Sequence, residues 1–162
     1  MQTEVLVGLD HSPAAIAALL WAARYAEQTG RPLRAVHAQS WPDGVAIESL
    51  APGWIEGLSL SQLEDRYRSG ITALFELIER RSDRRLEFSD GEAGRVLVEQ
   101  SRRAALLVTG APGHAGLDRL LAGSVAHYCL SHAVCPVAAV PADRKTRLDS
   151  ASRRHEQVLA HD

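Results

Sequence analysis

Residues 110–124 carry the strongest chemical signal in the chain. Gly110-Ala111-Pro112-Gly113-His114-Ala115-Gly116 follows an apolar run, and Gly123-Ser124 precedes a helical stretch, which gives the spacing G-x2-G-x9-G-S. A phosphate chain needs backbone nearer than a Cβ permits and N–H groups turned one way. Glycines between a strand and a helix N-terminus supply both. Gly110 and Gly113 read as the loop of such a cradle, and Gly123 and Ser124 as its helix end. A hydroxyl at the Ser124 position can cap a helix and also reach a phosphate. Asp10, in Val7-Gly8-Leu9-Asp10-His11-Ser12, stands directly after another apolar run. It reads either as a turn former or helix cap, or as a ligand contact.

Other chemistries lack their residues. Of 18 basic residues only Lys145 is a lysine, and it lies in the polar C-terminal segment. The lysine of a G-x4-G-K-[ST] phosphate loop is therefore missing from the part expected to fold, and efficient ATP hydrolysis is not indicated. Ala122-Gly123-Ser124-Val125-Ala126 does not have the G-x-S-x-G spacing of a nucleophile elbow. His127, Cys129, His132 and Cys135 invite a zinc reading, but His127 and His132 project about 140° apart on one helix and cannot converge on a metal. No catalytic residue and no metal ligand is assigned.

The elements that must position these residues follow from periodicity. Residues 5–9 are a short apolar run suited to a strand buried on both faces. Ser12 then offers an N-cap and Pro13 an N1 proline, with Ile16, Leu20, Ala23 and Ala26 as the apolar face until Gly30 and Pro32 end the helix. A second strand spans residues 33–38. Residues 39–57, with Trp41 and Trp54, form a long loop that reads as a lid. Ser61 and Glu64 give a capping box for a second helix, striped by Leu63, Tyr67, Leu74 and Ile78 and running toward Arg81. Leu86 and Phe88 mark a third strand, Ala93, Val96, Leu97 and Gln100 a third helix, and residues 104–109 a fourth strand. Ser124 caps a fourth helix carrying Val125, Tyr128, Cys129 and His132, and residues 137–140 make the last strand.

Strands alternating with helices imply an α/β fold, a doubly wound five-stranded parallel sheet with helices on both faces. At 162 residues the chain suits one such domain, expected over residues 1–141, with a polar tail at 142–162 that is disordered or a short helix. A net charge of -2 gives no attraction for nucleic acid or an anionic membrane. The N-terminal residues lack a basic signal-peptide region, and no apolar run approaches the roughly 18–20 residues of a membrane span, so a cytoplasmic location is expected. Cys129 and Cys135 are too few for a disulfide scaffold and read as buried thiols.

The G-x2-G-x9-G-S spacing, Val7-Gly8-Leu9-Asp10-His11-Ser12 after the first strand and Cys135-Pro136-Val137 before the last together resemble the nucleotide-binding branch of the universal stress protein family, over residues 3–141. The resemblance implies strand order 3-2-1-4-5, in an adenine nucleotide alpha hydrolase-like fold. Asp10 and the glycine loop, one hundred residues apart, then meet where the sheet changes winding direction, the place where open α/β sheets bind ligands. It implies an adenine nucleotide such as ATP, with Mg²⁺ as an option. Gly8 and Asp10 would lie beside the nucleoside, and Ala38 would offer backbone groups to adenine. Gly110, Gly113, Gly123, Ser124 and Val125 would hold ribose and phosphates. Ala111 and Pro112 depart from the family by removing a hydroxyl, a side-chain donor and one N–H, and His114 and Arg119 are the replacement donors at hand. A homodimer through the last strand is implied as well, with an unidentified protein partner. The expected role is a nucleotide-dependent binding or signalling module of the stress response. The alternatives are a slow ATPase and a dimeric structural protein with an empty pocket.

Overall fold

In the computed structural model, residues 3–39, 60–79, 81–111 and 125–142 are described. Their order is β1 (Glu4–Gly8), α1 (Pro13–Thr29), β2 (Leu33–Gln39), α2 (Leu60–Ile78), β3 (Arg84–Asp90), α3 (Ala93–Gln100), a 3₁₀ turn, β4 (Ala104–Ala111), α4 (Val125–His132) and β5 (Val137–Pro141). The five strands form one parallel sheet in the order β3-β2-β1-β4-β5. The fold class and strand order expected from the sequence are those observed. β3 and β5 are the edges, and β1 and β4 are the neighbours at the switch point.

Alternation along each strand divides the core between the two faces. Val5, Val7, Leu33, Ala35, Leu106 and Val108 face α1 and α2, whose Leu19, Ala22, Ile71 and Phe75 cover them. Leu6, Val36 and Leu107 face the other way and meet Leu97 of α3 and Cys129 of α4. Across the outer strands Arg34 bonds Glu4 at 2.7 Å and Glu87 at 2.8 Å and reaches Gln100, which ties β1, β2, β3 and α3 together.

Helix α1 begins and ends as its sequence demands. Ser12 is extended, its Oγ accepts a hydrogen bond from the Ala15 N–H at 3.1 Å, and Pro13 occupies the first turn. Gly30, in the left-handed region at φ 65°, closes the C-terminus by donating to the Ala26 and Glu27 carbonyls. The buried stripe, however, is Ala15, Ala18, Leu19, Ala22 and Ala26. It is rotated from the expected one, and Leu20 is left 41% exposed. Counting large apolar residues misleads here because the face against the sheet is built from alanines, which allow close approach. The capping box at Ser61 and Glu64 is also corrected. Ser61 lies inside helix α2, within Leu60–Ile78, and the Glu64 carboxylate pairs with Arg68 one turn on at 3.1 Å. Its most buried residues are Ile71 and Phe75, whereas Tyr67 is partly exposed.

Cys129 and Cys135 are buried free thiols. Burial, with the neighbouring Cys135 second, pushes the Cys129 thiol up to about 11, and burial also raises Cys135. A thiol-specific reagent at pH 8 should therefore label neither cysteine in the folded protein and both once urea unfolds it; rapid native labelling would contradict this packing.

Candidate functional site

The chain leaves β1 at Gly8 and turns through Leu9, Asp10 and His11 into α1. The Ser12 N–H donates to Asp10 Oδ1 at 2.7 Å, a side-chain closure of the turn that aims the loop into the helix. The carbonyl of Leu9 accepts the Nδ1–H of His37 at 2.7 Å, from the neighbouring strand β2. A carbonyl cannot donate, so His37 Nδ1 carries a proton, and Nε2 is buried without a hydrogen-bond partner. His37 lies against the rings of Tyr67, centroid distance 5.3 Å, and Phe88, 5.8 Å. His11 meets Tyr67 edge-on at 5.0 Å, over Gly70 of α2. Burial first, then the negative charge of Asp10, raises the Tyr67 phenol above its ordinary pKa. The β1 turn is thus clamped from the α2 side of the sheet.

On the other side of that turn lies a crevice. Gly8, Asp10 and Ser12 from the β1 turn, Val36 and Ala38 from β2, Ala93 and Leu97 from α3, Thr109 and Gly110 from β4, and Val125 from α4 all line it. Of the residues singled out in the sequence, Gly8, Asp10, Ala38, Gly110 and Val125 are therefore together. Gly113, His114, Gly123 and Ser124 lie outside the described residues, as do Arg119 and residues 40–57 of the expected lid. The described walls enclose about 90 Å³. Pockets for small-molecule ligands start at roughly 300 Å³, so the described walls alone are smaller than a whole nucleotide needs. A larger hollow of about 930 Å³ runs past Glu4, Arg34, Arg85 and Glu87. Its central Arg34 is already neutralised by two carboxylates, and it lies away from the switch point.

The backbone of Ala38 is turned toward β1 by the pairing of its neighbours. The Val36 carbonyl accepts from Leu9 N–H on the β1 side, and the Gln39 carbonyl accepts from Gly91 N–H on the β3 side. The period of two in a strand then turns the Ala38 backbone groups toward β1, beyond the point where β1 has left the sheet.

The two strand-end glycines serve different purposes. A Cβ at Gly110 would stand 2.5 Å from the Ala14 carbonyl carbon and 2.7 Å from the Ala15 nitrogen, both backbone. The first turn of α1 packs directly on β4 there. A Cβ at Gly8 would meet only the Leu97 Cδ1 at 2.8 Å, the end of a side chain. The sequence reading gave Gly110 a phosphate-loop role and missed this packing role.

It also missed Thr109 and His37. Thr109 lines the crevice at 2% exposure with Oγ1 unpartnered. Both are polar residues at buried strand positions, which is the signal that was available in the sequence.

Comparison with known proteins follows the same line. The family model described as universal stress protein family matches residues 1–141. A universal stress protein of Mycobacterium tuberculosis is 35% identical over 139 residues, a match covering 82% of this chain and 46% of that one. The chain thus spans about half the length of the curated relatives it matches. Solved structures of the family share the fold, among them three with a bound adenine nucleotide. A universal stress protein in complex with cAMP is 20% identical, TM-score 0.57, covering 87% of this chain and 98% of its own. One from Archaeoglobus fulgidus in complex with dAMP is 20% identical, TM-score 0.56, covering 86% and 99%. A family protein from Arabidopsis thaliana with AMP bound is 17% identical, TM-score 0.57, covering 88% and 94%.

Replacing Gly110 by Ala should cost about 1–3 kcal/mol in urea unfolding, since backbone must move. Gly8→Ala should cost less because only a side-chain end must give; equal losses would count against the distinction.

Proposed function

This chain belongs to the universal stress protein family, and we propose that it is an adenine-nucleotide-binding module whose ligand lies in the crevice at the ends of β1 and β4. The observation that carries this reading is the convergence of Gly8, Asp10, Ala38, Gly110 and Val125, from four strands and helices, on one crevice at the switch point. Fold neighbours in complex with cAMP, dAMP and AMP support an adenine nucleotide as the class.

In this reading adenine sits at the Ala38 backbone and Asp10 flanks the nucleoside. The G-x2-G-x9-G-S segment, through Gly110, Gly113, His114, Gly123, Ser124 and Val125, takes the phosphates. Binding there draws on backbone N–H groups, with Mg²⁺ screening the charge when the nucleotide is ATP. Without a lysine in residues 1–141 the module is a binder and signalling element of the stress response rather than a fast ATPase.

Residues 1–141 form the binding unit in this proposal, and 142–162 a tail. A homodimer through the open edge of β5, a further protein partner and a cytoplasmic location complete it. The free thiols suit a reducing compartment.

Freshly purified protein, denatured and analysed by mass spectrometry, should release an adenine nucleotide. Gly113→Val and Gly123→Val should retain the fold by circular dichroism and lose that nucleotide by at least tenfold. Retention of nucleotide in both variants, or its absence from the wild type together with no calorimetric response to AMP or to ATP with Mg²⁺, overturns the proposal.

A further inference from the structure

We infer that Thr109 is a specificity-determining residue of the crevice, its hydroxyl hydrogen-bonding the sugar hydroxyls of the bound nucleotide. The inference rests on the nucleotide reading above and adds to it a residue outside the glycine motif.

Thr109 is near the C-terminal end of β4, paired with Ala139 of β5, and flanked in sequence by the buried Val108 and by Gly110. Its Oγ1 is buried with no hydrogen-bond partner. A hydroxyl in that state costs about 1–3 kcal/mol relative to one that is satisfied, and a valine would fill the same volume without the cost. Two other side-chain oxygens of the crevice already accept hydrogen bonds that hold the β1 turn. Ser12 Oγ accepts from Ala15 N–H, and Asp10 Oδ1 accepts from Ser12 N–H. Among the described residues lining the crevice, Thr109 carries the buried hydroxyl that makes no hydrogen bond at all.

Its position indicates which part of a nucleotide it meets. Ala38 is on β2 and Thr109 on β4, with β1 between them. Two strand spacings place them roughly 10 Å apart across the sheet. A base held at the Ala38 backbone is consumed within the first spacing, so the sugar is what extends toward β4. A threonine hydroxyl both donates and accepts, which matches a ribose hydroxyl.

The test combines stability with binding. Thr109→Val, free of ligand, should unfold at the same temperature as wild type or higher, because an unpaired hydroxyl has been removed. The same variant should bind AMP about 5- to 15-fold more weakly by calorimetry. Thr109→Ser should bind AMP within about threefold of wild type, since the hydroxyl is kept. With 2′,3′-dideoxy-AMP, wild type and Thr109→Val should agree within about twofold, closing a double-mutant cycle. Thr109→Ala provides a second hydroxyl deletion if the valine variant does not fold. Equal AMP affinity in wild type and the hydroxyl deletions overturns the Thr109 assignment while leaving nucleotide binding intact. A loss of equal size on the dideoxy analogue also overturns it. Failure of the wild type to bind AMP or any other adenine nucleotide removes the underlying reading instead.

Discussion

Gly110 lies so close to Ala14 and Ala15 that no Cβ fits between β4 and the first turn of α1. That contact sets how α1 crosses the sheet, and through α1 it sets where the β1 turn must go. Because α1 is pressed onto β4 at its very start, Leu9, Asp10 and His11 have to leave β1 abruptly toward that face. The space they vacate beside β2 is the crevice. The alanine face of α1 belongs to the same constraint: Ala15, Ala18, Ala22 and Ala26 keep the helix low on the sheet along its length. Larger residues in that stripe would lift α1 and relax the turn that opens the site.

A turn forced into that course must also be held there. Asp10 closes it locally by accepting from Ser12, and Ser12 in turn caps the helix. His37 holds it from β2 through the Leu9 carbonyl, and the rings of His11, Tyr67 and Phe88 fill the space on the α2 side. These interactions are local and directional, so they fix the geometry of Asp10 more than they add to stability. A polar turn between two buried strands is thereby given one conformation, which is what a ligand contact on its rim requires.

Much of this was legible in the sequence because it depends on local chemistry. Ser12, Pro13 and Gly30 state the limits of α1 by capping rules alone, and the apolar runs give the five strands and their parallel arrangement. The stripe of α1 was not legible in the same way, since hydrophobic size points to Leu20 while close packing selects alanine. Ser61 and Glu64 match a capping pattern by type, but both lie inside the helix, where Glu64 pairs with Arg68. Gly110 could be read as special from its place after a strand, yet its reason, the backbone of α1, is ninety-five residues away in the chain and appears only when the fold is assembled.

The unpaired buried groups complete the argument. Among the described residues they are His37 Nε2, the Gln39 amide, Arg84 Nε and Thr109 Oγ1. Arg84 still has the Glu79 carboxylate at 3.6 Å to balance its charge. The remaining three sit near the ends of β2 and β4, His37 and Gln39 on the α2 face with Ala35, and Thr109 on the opposite face with Leu107. Of these three, Thr109 alone lines the crevice, so it is the one that departs from good packing at the site itself. An unpaired Thr109 hydroxyl makes sense as a group kept for a partner that the chain alone does not supply, and the crevice is the place from which that partner arrives.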